Sequence, residues 1–320
     1  MQKSQSLPHE LLNGLRRQKY QIVGGHSAVK KCRWLHQSLV EGRSCYKHKF
    51  FGIRSWQCVQ MTPAIAHCTM RCRFCWRVQP DDAGTYFDET VMPDWDDPTS
   101  IVEGCIQAQR RILSGYKANP RADRERYDEA LKPKHVAISL TGEPTLYPDL
   151  GNLIREFHRR RFTTFVVTNG TLPQMLSDLD EEPTQLYVSV CAPDEKTFLE
   201  TCRPQVPDAW QRLNHTLELL PSFDCPTVVR HTLVRNLNMK NPERYAKIIA
   251  RGNPTYIEPK GYVCVGYSRN RLTFDSMPTH TEIRQFAKDL AAFTGYKILN
   301  EATDSRVVLL SRLEKPIMFY

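Results

Sequence analysis

The stretch Cys68-Thr69-Met70-Arg71-Cys72-Arg73-Phe74-Cys75 places three thiols within eight residues, in the spacing CxxxCxxC. Structural zinc sites are normally closed by four protein ligands, whereas an iron–sulfur cluster bound through cysteine thiolates can leave one iron open to an outside ligand. Three close thiols therefore favour a cluster with an open iron. A zinc knuckle completed by His67 or by a remote residue is the alternative.

The composition around this stretch is that of an ordinary folded protein. With 320 residues, 41% of them hydrophobic, the chain can bury a sizeable core in one large α/β domain or two smaller ones. No apolar run approaches the roughly 18 residues of a membrane span. The polar segment from Met1 to Tyr20 lacks the apolar core of a signal peptide, so we expect a cytoplasmic protein with no membrane partner.

The charge balance is basic. Lys and Arg exceed Asp and Glu by 44 to 35, which gives a net charge of +9 and attracts polyanions such as nucleic acid. A basic protein with a solvated surface is the other interpretation. The segments that could meet phosphate are Lys30-Lys31-Arg33, Arg71-Arg73-Arg77, Arg159-Arg160-Arg161, Arg269-Arg271 and the charged stretch from Lys117 to Lys134.

Short apolar strands alternate with helical segments over most of the chain, which implies parallel strand pairing. About six strand–helix units can be counted, short of the eight of a complete TIM barrel. The predicted fold is therefore α/β, a partial (β/α)6 TIM-like barrel. The strand candidates are Trp56 to Met61, His135 to Leu140, Thr163 to Thr168, Gln185 to Val190, Thr227 to Leu233, and Tyr256 to Val265 with a break at Pro259. The helix candidates are Leu7 to Arg17, Ile101 to Tyr116, Leu150 to Arg160, Gln174 to Asp180, Asp208 to Leu220, Pro242 to Ala250 and Thr281 to Phe293, with an irregular connection from Trp76 to Trp95.

Polar residues follow three of these strands, where the working groups of a βα barrel are found. Thr141-Gly142-Glu143-Pro144 follows one strand, Thr168-Asn169-Gly170 closes the next, and Ser189 lies at the end of the third. Each group could be an ordinary turn. Because three strand ends coincide, we expect them to line one pocket.

Three further cysteines, Cys32, Cys45 and Cys58, precede the CxxxCxxC loop at intervals of thirteen residues. Cysteines so far apart carry no metal signature by themselves, and buried unreactive thiols are the ordinary interpretation. Lys47 follows closely after Cys45. A lysine that is desolvated beside other cations can lose its proton and form a Schiff base with a keto acid. Lys49 has the same chemistry, and these residues alone do not choose between the two lysines.

The CxxxCxxC loop, with Phe74 before its last cysteine, resembles the signature of radical S-adenosylmethionine (SAM) enzymes. In that superfamily the open iron of a [4Fe-4S] cluster binds the methionine moiety of S-adenosyl-L-methionine. Read together with Cys32, Cys45, Lys47 and Cys58, the chain resembles the archaeal-type tRNA 4-demethylwyosine synthases. The resemblance extends from about the first cysteine onward.

This resemblance implies two [4Fe-4S] clusters and a carbon–carbon lyase activity. The implied reaction condenses N1-methylguanosine-37 of tRNA(Phe) with pyruvate to form the tricyclic base 4-demethylwyosine. Lys47 would form a Schiff base with pyruvate. The implied ligands are Cys68, Cys72 and Cys75 for the radical SAM cluster and Cys32, Cys45 and Cys58 for an auxiliary cluster. The implied SAM pocket comprises Gly142, Glu143, Pro144, Thr168, Asn169, Gly170 and Ser189, with Thr141 standing where the family has the first glycine of its GGEP element.

We divide the chain into an N-terminal segment at 1–55 that carries auxiliary-cluster cysteines, a barrel at 56–300 and a C-terminal extension at 301–320. These parts are expected to form a single compact unit that acts as a monomer. Some relatives carry a flavodoxin-like domain ahead of the barrel, and nothing in this sequence could encode one. The expected electron donor is therefore a separate flavodoxin- or ferredoxin-like protein.

Two other functions fit the same residues. A radical SAM enzyme with an auxiliary cluster could act on a peptide or a small molecule. A zinc-stabilised RNA-binding protein would have no catalytic activity. Iron and sulfide content separates the second of these from every enzyme hypothesis, because a zinc protein would carry neither. Five aromatic residues near the cysteines could stack on the target base or pack in the core: Tyr46, Phe50, Phe51, Phe74 and Trp76.

Overall fold

The computed structural model describes residues 7–84, 87–92 and 94–320. Ten strands in these ranges form a single sheet, in which they stand side by side in chain order except that β10 lies between β8 and β9. The strands are β1 (Tyr20–Val23), β2 (Ser27–Lys30), β3 (Cys58–Thr62), β4 (His135–Ile138), β5 (Thr163–Thr168), β6 (Gln185–Ser189), β7 (Thr227–Leu233), β8 (Tyr256–Gly261), β9 (Lys297–Ala302) and β10 (Val307–Ser311).

The six central strands, β3 to β8, are all parallel, which confirms the predicted partial barrel. Their register places Cys58 opposite His135 and His135 opposite Thr163, so these three strands begin at the same end of the barrel. Parallel strands are covered on both faces and are therefore apolar along most of their length. Strand β3 starts two residues later than predicted, because a short 3-10 turn occupies Ser55–Gln57.

An antiparallel hairpin extends the sheet at each end. On one side β1 pairs with β2, which joins β3 through Ala28 opposite Thr62. On the other side β10 pairs with both β8 and β9. The segments 1–55 and 301–320 thus add strands to the sheet of the barrel, and β9 runs across the boundary placed at residue 300.

The predicted break at Pro259 is wrong. Strand β8 continues through this residue, and Pro259 stands opposite His231 in the parallel ladder with β7. Proline lacks an N–H group and is tolerated where a strand does not need that donor. The pairing with β10 resumes on both sides of it, with Ile257 opposite Leu310 and Lys260 opposite Val307.

Helices cover the outer face of the sheet, where their apolar residues pack on the strands. None of the helices in the described ranges is long and apolar enough to cross a membrane. Of the predicted irregular connection from Trp76 to Trp95, residues 85, 86 and 93 lie outside the described residues, and a one-turn helix occupies part of the rest. The helices are α1 (His9–Arg17), α2 (Arg33–Val40), α3 (Tyr46–Phe51), α4 (Pro80–Ala83), α5 (Pro98–Ser114), α6 (Arg124–Ala130), α7 (Leu150–Arg159), α8 (Pro173–Ser177), α9 (Glu195–Cys202), α10 (Ala209–Leu219), α11 (Pro242–Gly252) and α12 (His280–Thr294).

The inner face of the sheet is covered by α3 and by residues near the C-terminus. Phe51 is buried with its ring 5.3 Å from that of Tyr256, the first residue of β8. The Phe319 ring lies 5.8 Å from that of Phe165, and its N–H group donates to the Phe51 carbonyl at 2.8 Å. These contacts cover the end of the barrel where the strands begin. Phe50 and Phe51 are therefore core residues and do not stack on a base.

Candidate active site

The CxxxCxxC loop lies at the opposite end of the strands and is fixed by main-chain hydrogen bonds. The Cys68 N–H group donates to the Glu89 carbonyl at 2.7 Å, and the Cys75 N–H group donates to the Cys72 carbonyl at 3.1 Å. All three thiols of the loop are half-buried. Burial raises the pKa of Cys68 and of Cys75, so these thiols lose their protons most readily when a metal binds them.

Arg77 lies buried beneath this loop. Its guanidinium group donates to the carbonyl oxygens of Ala66 at 3.2 Å and of Met70 at 3.1 Å, and it forms an ion pair with Glu89 at 2.7 Å. Arg71 also binds the Glu89 carboxylate. Arg77 therefore holds the backbone of the loop and places a positive charge beside the thiols.

We expect Arg77→Met to lower the free energy of unfolding of the metal-free protein by about 3–5 kcal/mol. The substitution removes the fully buried partner of the Glu89 carboxylate, leaving only the partly exposed Arg71, and it frees the carbonyl groups of Ala66 and Met70. Urea denaturation followed by circular dichroism measures the effect. Arg73→Met is the matched control, because Arg73 forms a partly exposed ion pair with Glu200 at 3.6 Å that should contribute less than about 1 kcal/mol. Equal losses in the two variants would contradict the assigned role.

Two arginine side chains from the predicted basic segments point into the protein. Arg77 is buried and is not available to phosphate, contrary to the sequence prediction. Arg271 is paired with Asp82 at 2.5 Å and donates to the Cys75 carbonyl at 2.5 Å. Both arginines therefore support the CxxxCxxC loop.

Glu143 joins the ends of β4 and β5, at the end of the barrel where the parallel strands finish, which we call the rim. Its Oε1 atom accepts hydrogen bonds from the Thr145 hydroxyl at 2.7 Å and the Thr168 hydroxyl at 2.6 Å, and its Oε2 atom accepts one from the Asn169 N–H group at 2.7 Å. The Thr145 N–H group is a further donor to Oε1. Burial raises the pKa of Glu143, although each of these hydrogen bonds lowers it.

The turn before Glu143 requires glycine at one position. Gly142 has φ +72°, and a Cβ atom there would lie 1.8 Å from the Ala64 carbonyl oxygen. Thr141, by contrast, is not among the residues with positive φ. The threonine that departs from the family pattern therefore stands where a side chain is tolerated. Pro144 begins a 3-10 turn that runs to Leu146.

The rim touches the CxxxCxxC loop directly through Asn169. Its Nδ2 atom donates to the Thr69 hydroxyl at 2.8 Å and lies 3.8 Å from the Cys68 sulfur. Gly170 follows with φ +76° and packs against Leu213. Ser189 is the last residue of β6 and stands opposite Arg230 in the ladder with β7. The structure thus brings the loop together with the ends of β4 and β5.

We expect Glu143→Gln to destabilise the fold by about 1.5–3 kcal/mol, the range for hydrogen bonds to a charged group. The carboxylate accepts from four donors, whereas the amide has only one acceptor atom. Its NH₂ group would therefore face at least one existing donor without forming a hydrogen bond. Urea denaturation measures the loss. Glu125→Gln, at an exposed position in the first turn of α6, should stay within about 0.5 kcal/mol. A Glu143→Gln protein as stable as this control would contradict the account.

The upstream cysteines lie at the starts of three elements. Cys32 immediately precedes α2, Cys45 immediately precedes α3, and Cys58 is the first residue of β3. Burial, helped by the nearby Cys32 thiol, raises the pKa of Cys45 and of Cys58 to about 12, although the Lys47 ammonium acts in the opposite direction. The fold therefore places these three thiols and Lys47 close enough for their charges to interact.

Both groups of three cysteines offer the thiolate donors that iron–sulfur clusters use. In the described part of the chain, no three His, Cys, Asp or Glu side chains are grouped so that they could hold one metal ion.

Lys47 faces the barrel interior, and Lys49 does not. The Lys47 Nζ atom lies 4.2 Å from the ring centroid of Tyr187 and 4.5 Å from that of Phe165. Burial lowers the pKa of Lys47 to about 8, while Glu258 acts in the opposite direction. Lys49 is exposed, and its Nζ atom donates to the Glu301 carbonyl at 2.6 Å. Of the two lysines, Lys47 has the environment of a reactive amine.

Comparison with known proteins agrees with this geometry. Residues 63–249 match the radical SAM superfamily, and residues 251–312 match a family described as wyosine base formation. The chain is 52% identical to the S-adenosyl-L-methionine-dependent tRNA 4-demethylwyosine synthase of Pyrococcus abyssi over 98% of this chain and 91% of that protein. This chain belongs to the tRNA 4-demethylwyosine synthase family. The corresponding protein of Methanocaldococcus jannaschii is 40% identical over 97% of this chain and 98% of that one.

A solved structure described as TYW1 with a lysine–pyruvate adduct bound superposes on this synthase with a TM-score of 0.87. It is 38% identical in sequence and covers 98% of this chain and 99% of its own. The predicted family, the radical SAM enzyme class and the barrel fold are thereby confirmed. Membership of the superfamily implies SAM and one [4Fe-4S] cluster.

The interior of the synthase barrel also holds polar residues that were not predicted from the sequence. Glu258 is buried, and its carboxylate accepts hydrogen bonds from the hydroxyl groups of Tyr46 at 3.2 Å and Tyr187 at 3.4 Å. Arg230 and Lys260 lie nearby on β7 and β8. The sequence feature that could have revealed them is charge within otherwise apolar strands, at Arg230, Glu258 and Lys260. Such residues point into a polar interior or pair with each other.

Proposed function

We propose that this chain is a tRNA 4-demethylwyosine synthase that condenses N1-methylguanosine-37 of tRNA(Phe) with pyruvate to form the tricyclic base. The observation that carries the proposal is the position of Lys47. It lies inside the barrel of a radical SAM protein, on a helix that begins next to Cys45, with its amine against the rings of Phe165 and Tyr187. A buried amine of this kind suits covalent capture of a keto acid.

Lys47 would hold pyruvate as a Schiff base. With a pKa of about 8, roughly a tenth of the Lys47 side chains are uncharged at pH 7 and can attack the carbonyl carbon, far more than for an ordinary lysine. A relative with a lysine–pyruvate adduct has the same fold over nearly the whole chain, which supports this role. The aromatic walls around Lys47 would also keep water away from the adduct.

The residues of the rim would bind and orient SAM. The Glu143 network fixes the ends of β4 and β5, and Asn169 connects that rim to the CxxxCxxC loop. When bound, the cluster and SAM supply the one-electron chemistry that starts the reaction. The proposed cluster ligands are Cys68, Cys72 and Cys75, and the proposed SAM pocket is Gly142, Glu143, Pro144, Thr168, Asn169, Gly170 and Ser189.

A second [4Fe-4S] cluster would be held by Cys32, Cys45 and Cys58. The support is their shared location beside Lys47 and the high pKa of their buried thiols, which a metal can deprotonate. The remaining parts of the proposal are a cytoplasmic monomer, reduced by a separate flavodoxin- or ferredoxin-like protein. Positive surface charge would attract the anticodon stem, and a single-stranded loop can present its base to the pocket at modest cost.

Product analysis tests the proposal. Reconstituted protein is incubated under anaerobic conditions with SAM, dithionite, pyruvate and tRNA(Phe) that carries either N1-methylguanosine or guanosine at position 37. Digestion and mass spectrometry should detect the tricyclic nucleoside only with the methylated tRNA and pyruvate. SAM cleavage without this product would instead favour a radical SAM enzyme that acts on a peptide or a small molecule.

A further inference from the structure

The barrel interior around Lys47 holds three cationic side chains. Lys47 and Arg230 both lie against the Tyr187 ring, with Nζ 4.2 Å and the guanidinium carbon 5.7 Å from its centroid. Lys260 lies 5.3 Å from the centroid of the Tyr46 ring. Among the described residues, Glu258 supplies the carboxylate that opposes these charges. Three cationic groups therefore face one carboxylate.

The strand register aligns these groups in a row on the inner face of the sheet. Ser189 of β6 stands opposite Arg230 of β7, and Arg230 stands opposite Glu258 of β8. Lys260 follows two residues after Glu258 and therefore points to the same face. Glu258 is fully buried, whereas Arg230 and Lys260 are half-buried. The two cations are thus more accessible from the interior than the carboxylate is.

Arg230 has no salt bridge within the described ranges of the chain. Both oxygens of Glu258 accept hydrogen bonds from tyrosine hydroxyls, and its carboxylate acts on Arg230 from beyond ion-pair distance. Arg77, which is buried more deeply than Arg230, is paired with Glu89 at 2.7 Å. A partly desolvated guanidinium group without an ion pair is costly unless an anion binds it. Its planar donors match a carboxylate in particular.

We infer that Arg230 binds the carboxylate of the keto acid whose carbonyl carbon is attacked by Lys47, and that Lys260 contributes a second positive charge to this subsite. The inference rests on the proposed function. In the covalent step a C=N bond replaces the C=O bond, and the carbonyl oxygen leaves as water with the two amine hydrogens. An acid with adjacent carbonyl and carboxylate groups spans both contacts. The site therefore selects 2-oxo acids over neutral carbonyl compounds.

Trapping of the adduct tests this subsite without SAM, tRNA or turnover. Cluster-loaded protein is incubated with cyanoborohydride and increasing pyruvate, or with methyl pyruvate, which has the same carbonyl but no charge. Intact-protein mass spectrometry gives the concentration for half-maximal labelling. Arg230→Gln should raise this value for pyruvate by about 10- to 100-fold, as expected for a lost charged hydrogen bond. The value for methyl pyruvate should change less than about threefold.

Two further variants distinguish the loss of a carboxylate contact from misfolding. Arg230→Lys keeps the charge without the planar fork and should give an intermediate preference for pyruvate. Arg230→Gln combined with Glu258→Gln removes both charges together and should still lose the preference. Arg244→Gln, which breaks an exposed pair with Asp194 at 3.0 Å, is the control and should behave as wild type.

The outcomes separate this inference from the proposed function. If wild-type protein forms no adduct, or if Lys47→Ala forms as much as wild type, the proposed role of Lys47 fails. If wild type is labelled through Lys47 but all Arg230 variants show the wild-type dependence on pyruvate, the proposed function stands and the carboxylate subsite is overturned.

Discussion

Lys47→Ala should lower formation of the tricyclic nucleoside by at least about a thousandfold, because it removes the amine that holds the keto acid. The same variant should form no pyruvate adduct under cyanoborohydride. Cluster content and SAM cleavage should stay close to wild type, since neither depends on this amine. Product is measured by mass spectrometry of digested tRNA, and SAM cleavage by chromatography of the released nucleoside.

Lys49→Ala is the matched control for this prediction. Lys49 lies two residues away on the same helix, but its ammonium group is exposed and donates to a carbonyl group of β9. Its removal should change product formation less than about threefold. If Lys47→Ala kept full activity, the reactive amine would have to be sought elsewhere. Lys260 would then be the first candidate, because burial lowers its pKa to about 8 as well.

Iron analysis should show two independent clusters. Wild-type protein reconstituted under anaerobic conditions should bind about eight irons, the content of two [4Fe-4S] clusters. Cys72→Ala should lower the content to about four irons and abolish SAM cleavage. Cys32→Ala should also leave about four irons but retain SAM cleavage, because the CxxxCxxC loop is intact. Iron, sulfide and the electron paramagnetic resonance spectrum of the reduced protein are the measurements.

Cys225→Ala is the control for this experiment. Cys225 is half-buried just before β7 and lies next to Glu182, away from both thiol groups. Its replacement should leave the iron content unchanged. A Cys32→Ala protein with undiminished iron would rule out the auxiliary cluster, and stoichiometric zinc in place of iron would rule out both enzyme hypotheses.

The central fold was predictable because its signal is local. Parallel strands are short apolar runs; His135–Ile138, for example, is followed by the amphipathic helix Leu150–Arg159. The hairpins at both edges were not predicted, because β2 and β9 are short or polar and gain their stability from pairing with neighbours. The six residues of α3 are likewise too few for a periodic pattern, although this helix carries Lys47.

The site was predictable where chemistry follows a strand end. Glu143 and Asn169 were predicted in this way, whereas Lys47 was preferred over Lys49 only through the resemblance to the synthase family. Arg230, Glu258 and Lys260 were missed because they lie inside strands, where the apolar neighbours dominate the pattern. Pro259 suggested a break between the last two, so their shared face was not recognised. Only the sheet register places them in one row.

The covered end of the barrel bears on how the two proposed substrates would enter. Phe51 and Phe319 cover the interior where the strands begin, while the rim residues lie where the strands end. Under the proposed function, a keto acid would reach Lys47 from the rim side, where the anticodon loop would dock as well. We therefore expect the small substrate to bind first and the tRNA to cover it.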